Sequence, residues 1–89
     1  MYLRYHLKAA DDKKKILEMF FKDWADSVCN NKVRYSSTVE SEDYYFSHGP
    51  LPAVVVTAII KVEFDNEEDA VAMKLKGVPP DLQQYLSLI

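Results

Sequence analysis

Residues 53 to 64, AVVVTAIIKVEF, constrain the fold more than any other stretch of this chain. Successive side chains of an extended strand alternate across it, so Val54, Val56, Ala58, Ile60, Val62 and Phe64 share one face. The other face is apolar at Val55 and Ile59 and charged at Lys61 and Glu63. A strand apolar on both sides over half its length is expected in the middle of a sheet, screened by neighbours and by a covering layer. The chain must therefore supply flanking strands and something to pack over them.

Residues 1 to 9 supply one flank. Leu3, Tyr5, Leu7 and Ala9 point one way and Tyr2, Arg4, His6 and Lys8 the other, which is the period of a half-buried strand. Residues 33 to 47 hold Val33, Tyr35, Thr38, Val39, Tyr44, Tyr45 and Phe46, a β-branched and aromatic set that suits a pleated surface. They predict one long strand, bulged or broken near Ser41 to Asp43. Two short strands in a hairpin are the competing arrangement, but no glycine is present for the tight turn. Gly49-Pro50-Leu51-Pro52 then reads as a turn.

The covering layer comes from two helices. Over residues 12 to 29, Ile16, Leu17, Phe20, Phe21, Trp24 and Val28 recur at three- and four-residue steps as a broad apolar stripe. This places Phe20, Phe21 and Trp24 in the core. Asp11 or Asp12 is the expected cap, and Lys14, Glu18, Lys22 and Asp26 form an alternating ladder opposite the stripe. Asn30 and Asn31 would leave the helix through a left-handed turn. In the second helix Asp65, with Glu68 three residues on, fits a capping box, and Ala70, Val71, Met73 and Leu75 follow. Gly77 ends it, and Pro79 and Pro80 forbid continuation. The last segment is open: Leu82, Tyr85, Leu86 and Ile89 fit helical spacing, yet residues 85 to 89 also suit an edge strand.

The fold class is α+β, a two-layer β-α-β-β-α sandwich in one domain over residues 1 to 89. It is ferredoxin-like if the C-terminus is a strand, and a three-stranded variant if it is a helix.

Composition narrows the function. The chain is 48% hydrophobic and 28% charged, ordinary for a globular domain. Its one cysteine, Cys29, allows no internal disulfide, and no apolar run is long enough for a signal peptide or a membrane span. A reducing, cytoplasmic setting without membrane contact is expected. A domain this small gains from association, so a homo-oligomer is a natural state for it. The net charge of -3 argues against general binding to a nucleic-acid backbone. Two acidic clusters, Glu40/Glu42/Asp43 and Asp65/Glu67/Glu68/Asp69, carry much of that charge.

No chemistry declares itself. His6, His48 and Cys29 lack the spacing that brings metal ligands together, so no metal or cofactor is expected. Cys29 sits near a helix C-terminus, where the dipole disfavours a thiolate, and no serine lies in a nucleophile elbow. The chain reads as non-enzymatic, with no catalytic residues. The strand face with Tyr2, Arg4, His6 and Lys8 is more informative, because a ferredoxin-like sheet sets Val55, Thr57, Ile59 and Lys61 beside it. Such a face is too apolar for simple solvation. Three readings compete for it: a cover formed by the C-terminal segment, a protein partner or second copy, and a nucleotide or single-stranded RNA stacked on its aromatic residue. The expected partner-binding residues are Tyr2, Arg4, His6, Lys8 and Lys61, with Glu40, Glu42 and Asp43 as a second patch.

The run Phe64 to Gly77, FDNEEDAVAMKLKG, resembles the endings of small accessory proteins of tailed bacteriophages. Those share a phenylalanine, an acidic cap, an Asp-Ala pair and a Lys-Leu step; here Lys76 and Gly77 follow where tryptophan or arginine is often found. The resemblance implies a viral protein acting in the host cytoplasm, which binds and modulates or inhibits a host protein such as a defence component. It implies no catalytic residue.

Overall fold

A computed structural model describes residues 1–45 and 53–89. In chain order the elements are β1 (Tyr2–Ala10), α1 (Asp11–Val28), β2 (Arg34–Tyr45), β3 (Ala53–Glu63), α2 (Glu67–Lys76) and β4 (Leu86–Leu88). The four strands form one sheet in the order β2-β3-β1-β4, and every neighbouring pair is antiparallel. That is the strand order of the split β-α-β, ferredoxin-like arrangement. As its two apolar faces require, β3 is an inner strand, paired with β1 from Tyr2↔Glu63 to Ala10↔Val55 and with β2 from Arg34↔Glu63 to Tyr45↔Ala53. The expected turn at residues 49–52 and His48 lie outside the described residues.

One face of the sheet carries the core. Leu3, Tyr5, Leu7 and Ala9 of β1 and Val56, Ala58, Ile60 and Val62 of β3 are buried there, facing Leu17, Phe21 and Ala25 of α1 and Ala70 and Met73 of α2. Phe21 anchors an aromatic cluster. Its ring centroid lies 4.9 Å from that of Tyr5, 5.7 Å from that of Trp24 and 6.3 Å from that of Tyr35. Edge-on and tilted pairs of this kind stabilise by about 0.5–1.5 kcal/mol each beyond their burial.

The C-terminal segment is a strand rather than a helix. After Pro80 the chain makes a short turn, in which Leu82 N–H donates to the Pro79 carbonyl at 2.9 Å and Leu86 N–H to the Leu82 carbonyl at 2.8 Å. It then pairs along β1 at Tyr5↔Leu88, His6↔Ser87 and Leu7↔Leu86. Leu82 and Leu86 are buried beside the helices. The apolar spacing thus serves the helix side of the sheet, which removes both the three-stranded variant and the C-terminal cover over the open face.

Four local expectations change. Ala10, not an aspartate, precedes α1, and no side chain caps it; Asp11 and Asp12 lie in the first turn, where their charge opposes the helix dipole. The helix leaves through Cys29 in extended conformation (φ −86°, ψ 140°), and no described residue other than glycine has positive φ. At α2 the cap is Asn66, whose Oδ1 accepts from Glu68 N–H at 2.8 Å, while Asp65 pairs with Arg34 at 3.0 Å. The long β2 is one strand, with its bulge between Val39 and Ser41, where Glu40 has no partner. Gly77 ends α2 as expected, at φ 72°.

The roll of α1 also differs. Tyr35 Oη donates to Asp26 Oδ1 at 2.8 Å, Ser37 Oγ donates to Glu18 Oε1 at 3.0 Å, and Lys14 pairs with Glu18 at 2.6 Å. The polar ladder therefore lies along β2, with Lys14 and Glu18 partly buried and Lys22 and Asp26 exposed. The opposite flank turns outward, leaving Ile16 52% and Phe20 54% exposed, so Phe20 is not a core residue although Phe21 is.

Candidate functional site

The face of the sheet away from the helices is built by alternation. Across it, β1 presents Tyr2, Arg4, His6 and Lys8; opposite them β3 presents Glu63, Lys61, Ile59 and Thr57; and β2 adds Arg34, Ser36, Thr38 and Ser41 in the same rows. Ser87 of β4 extends the row of His6. The structure thus brings Tyr2, Arg4, His6, Lys8 and Lys61 onto one surface, and neither helix nor the C-terminal segment crosses it. Val55 continues that surface beside Ala10, with Asp43 opposite it on β2.

The charges on this face are uneven. Arg4, Lys8, Arg34 and Lys61 stand against Glu63 and Asp43, on a chain whose formal total is -3. Arg34 is held at the rim by Asp65 at 3.0 Å and Glu63 at 3.6 Å, and Lys61 reaches Glu63 at 3.6 Å. Lys61 Nζ also sits 4.5 Å from the centroid of the Tyr2 ring. This cation–π contact holds the ring against the sheet while leaving Tyr2 53% exposed. Among the described residues Arg4 and Lys8 have no ion-pair partner. Among the described residues they are the cations of this face left without a carboxylate partner. Arg34 and Glu63 were not expected in the site, although the alternation of β2 and β3 would have placed them there once the strands were known to be neighbours.

The acidic patches do not form as the sequence suggested. Glu42 pairs opposite buried Val56 and Asp43 opposite Val55, so their side chains leave opposite faces of β2, and Glu40 occupies the bulge. In the other cluster Asp69 is buried. Its carboxylate accepts from Asn30 N–H at 3.0 Å, Asn31 N–H at 3.1 Å and Asn31 Nδ2 at 3.2 Å. The Asn30 amide, followed by the Asn31 side chain and amide, holds this carboxyl below its ordinary value, against the opposing effect of burial. Asp69 is thus a structural clasp between the exit of α1 and α2. Nearby, burial pushes the Cys29 thiol up, and Asp69 and Asp26 add to the effect, which disfavours the thiolate.

A second surface lies on the helix side. The outward flank of α1 and the segment before β4 enclose a groove of about 490 Å³ lined by Leu17, Phe20, Trp24, Pro79, Leu82 and Tyr85. Sequence periodicity assigned Phe20 and Trp24 to the core; Trp24 does pack against it, but Phe20 turns outward, because a helical stripe records which side chains are apolar and not how far the helix is rolled. Among the described residues no three histidines, cysteines or carboxylates cluster as metal ligands, and no helix is long and apolar enough to cross a membrane. Comparison with protein-family models, with curated proteins and with solved structures finds no significant match to this chain.

Proposed function

We propose that this protein is a non-enzymatic binding module whose open sheet face engages an acidic patch on a protein partner. The observation that carries the reading is the row Tyr2, Arg4, His6 and Lys8, uncovered, with Arg4 and Lys8 unpaired among the described residues. An exposed tyrosine beside an arginine supplies both apolar contact and bidentate charge recognition, the pairing most often dominant at protein interfaces. The bacteriophage resemblance of residues 64 to 77 makes a host protein in the cytoplasm the expected partner, bound stoichiometrically and thereby modulated or inhibited.

The test begins with capture of a partner from nuclease-treated bacterial lysate, followed by direct affinity measurement with the purified pair. We expect the double variant Tyr2→Ala/Arg4→Ala to bind at least tenfold more weakly while melting as the parent does. Unchanged affinity in that variant would exclude this face.

A nucleotide or single-stranded RNA is the second reading, favoured by the excess of cations on the same surface. It is the weaker one because the middle of the face, Arg4, His6, Ile59 and Lys61, offers no aromatic ring, and Tyr2 stands at the edge beneath Lys61. Titration of a labelled oligonucleotide at rising salt separates the two. Binding that weakens steeply with salt supports the nucleic acid, and absence of binding at low salt removes it.

A further inference from the structure

β2 is an edge strand along its whole length. β3 holds one side, and no described strand holds the other. Every residue from Ser36 to Tyr44 is exposed. An open row of backbone N–H and C=O groups of this length is a template for pairing with a further strand, and proteins that avoid such pairing shorten the strand, bulge it, charge it or cover it. Here the charge is confined to one part. Arg34 is the only ionised side chain before the bulge, and Glu40, Glu42 and Asp43 lie at or beyond it.

That asymmetry selects the strand that fits. A second β2 running parallel would set carboxylate against carboxylate. Running antiparallel, it sets the acidic half of each copy against the acid-free half of the other. With Thr38 on the two-fold axis, the open-face residues Arg34, Ser36, Thr38, Ser41 and Asp43 meet Asp43, Ser41, Thr38, Ser36 and Arg34 of the second copy. Directly opposed side chains in such a pair have Cβ atoms about 4.5–5.5 Å apart, close enough for a threonine pair at the centre and an arginine–aspartate pair at each end. The Arg34 side chain is 60% exposed, and a pair with Asp43 of the second copy shares a guanidinium already in contact with Asp65 and Glu63.

We propose that the protein forms a two-fold dimer through antiparallel pairing of β2 with β2 of a second copy, centred on Thr38. The axis of an antiparallel edge pair is normal to the sheet, so the open faces of both copies lie on the same side and join into one surface. The inference rests on the edge and its charges, not on what the open face binds.

The test is the mass in solution, measured by light scattering over a range of concentrations, with melting curves to confirm the fold. The wild type is expected to approach twice the chain's 10.3 kDa as concentration rises. A residue on the axis meets its own copy, so Thr38→Lys and Thr38→Glu should each weaken the dimer at least tenfold, although their charges are opposite. Arg34→Asp and Asp43→Arg should each weaken it, and the double reversal should restore it. A wild type that stays at the single-chain mass up to its solubility limit overturns the proposal. So does a dimer indifferent to both Thr38 variants, or one that the double reversal fails to restore. Opposite responses to lysine and glutamate overturn it as well, because a residue on the axis meets its own copy.

Discussion

At the scale of single residues, three side chains and one glycine set the sensitivity of the fold to its conditions. The Asp69 carboxyl is held below its ordinary value of 3.8 by amides it meets only in the folded chain. Its contribution is therefore complete above that value and is lost as pH falls through the lower, folded one. We expect the urea midpoint of the wild type to fall on acidification below about pH 4, and Asp69→Asn to be less stable at neutral pH with a flatter acid limb. Equal acid limbs in the two proteins would show the clasp to be inert. At the other end of the scale, burial, with a smaller effect from Cys29, pushes the Tyr5 phenol from 10.0 up to about 12. Burial, followed by its bond to Asp26, also raises Tyr35. Phenols raised on folding stabilise fully below their unfolded value and lose that contribution as pH climbs to the folded one, so the protein should weaken above pH 10. Tyr35→Phe should show a smaller alkaline loss, measured by the same midpoints. Gly77, at φ 72° and ψ 163°, has open space where a Cβ would stand, so Gly77→Ala meets no clash. Its cost is backbone strain alone, about 1–3 kcal/mol, read as a lower melting temperature.

At the scale of elements, the same α1 contains a position that tolerates change and a neighbour that does not. Phe21 is fully buried in the aromatic cluster, and Phe21→Ala should destabilise by about 3–5 kcal/mol, a large part of the stability of so small a domain. Phe20, turned outward, should accept glutamine with a change of about 0.5 kcal/mol or less in chemical denaturation. The two differ by one place in the sequence and shared one apolar stripe there, which explains where periodicity stops being informative. It located α1 to within a residue at either end, because apolar spacing and chain chemistry are local. The roll of the helix was not local. It follows from Tyr35 and Ser37, which draw Asp26 and Glu18 toward β2 across the fold. Caps behaved similarly. An acidic cap was expected at Asp65, but Arg34 claims that carboxylate and Asn66 takes the amide instead.

At the scale of the whole molecule, the strand order was within reach because β3 is apolar on both faces and β1 on one. The C-terminus was legible only as two alternatives. The same leucines satisfy a helical turn and a strand, and the choice depended on which space the helices had left open. The open sheet face was legible as a set, since alternation alone puts Tyr2, Arg4, His6 and Lys8 together. Its acidic counterpart does not form, because Glu42 and Asp43, as successive strand residues, leave opposite faces, and Glu40 falls in the bulge. The run from Phe64 to Gly77 is accounted for structurally at several of its positions: Phe64, Asp69, Ala70 and Met73 are buried, Asp65 pairs, Asn66 caps and Gly77 turns. Those positions maintain the fold.

The inner place of β3 has a further consequence, for synthesis. Among the described residues β2 pairs only with β3, and β1 only with β3 and β4, so none of these ladders exists until β3 has been made. A ribosome releasing the chain from its N-terminus holds β1, α1 and β2 as a mostly unpaired polymer, with Leu3, Tyr5 and Leu7 exposed to chaperones and proteases. Once residues 53 to 63 clear the exit tunnel, both flanking strands acquire a template within the same short interval. Chains stalled before that point should be digested readily, and chains stalled beyond it should begin to resist.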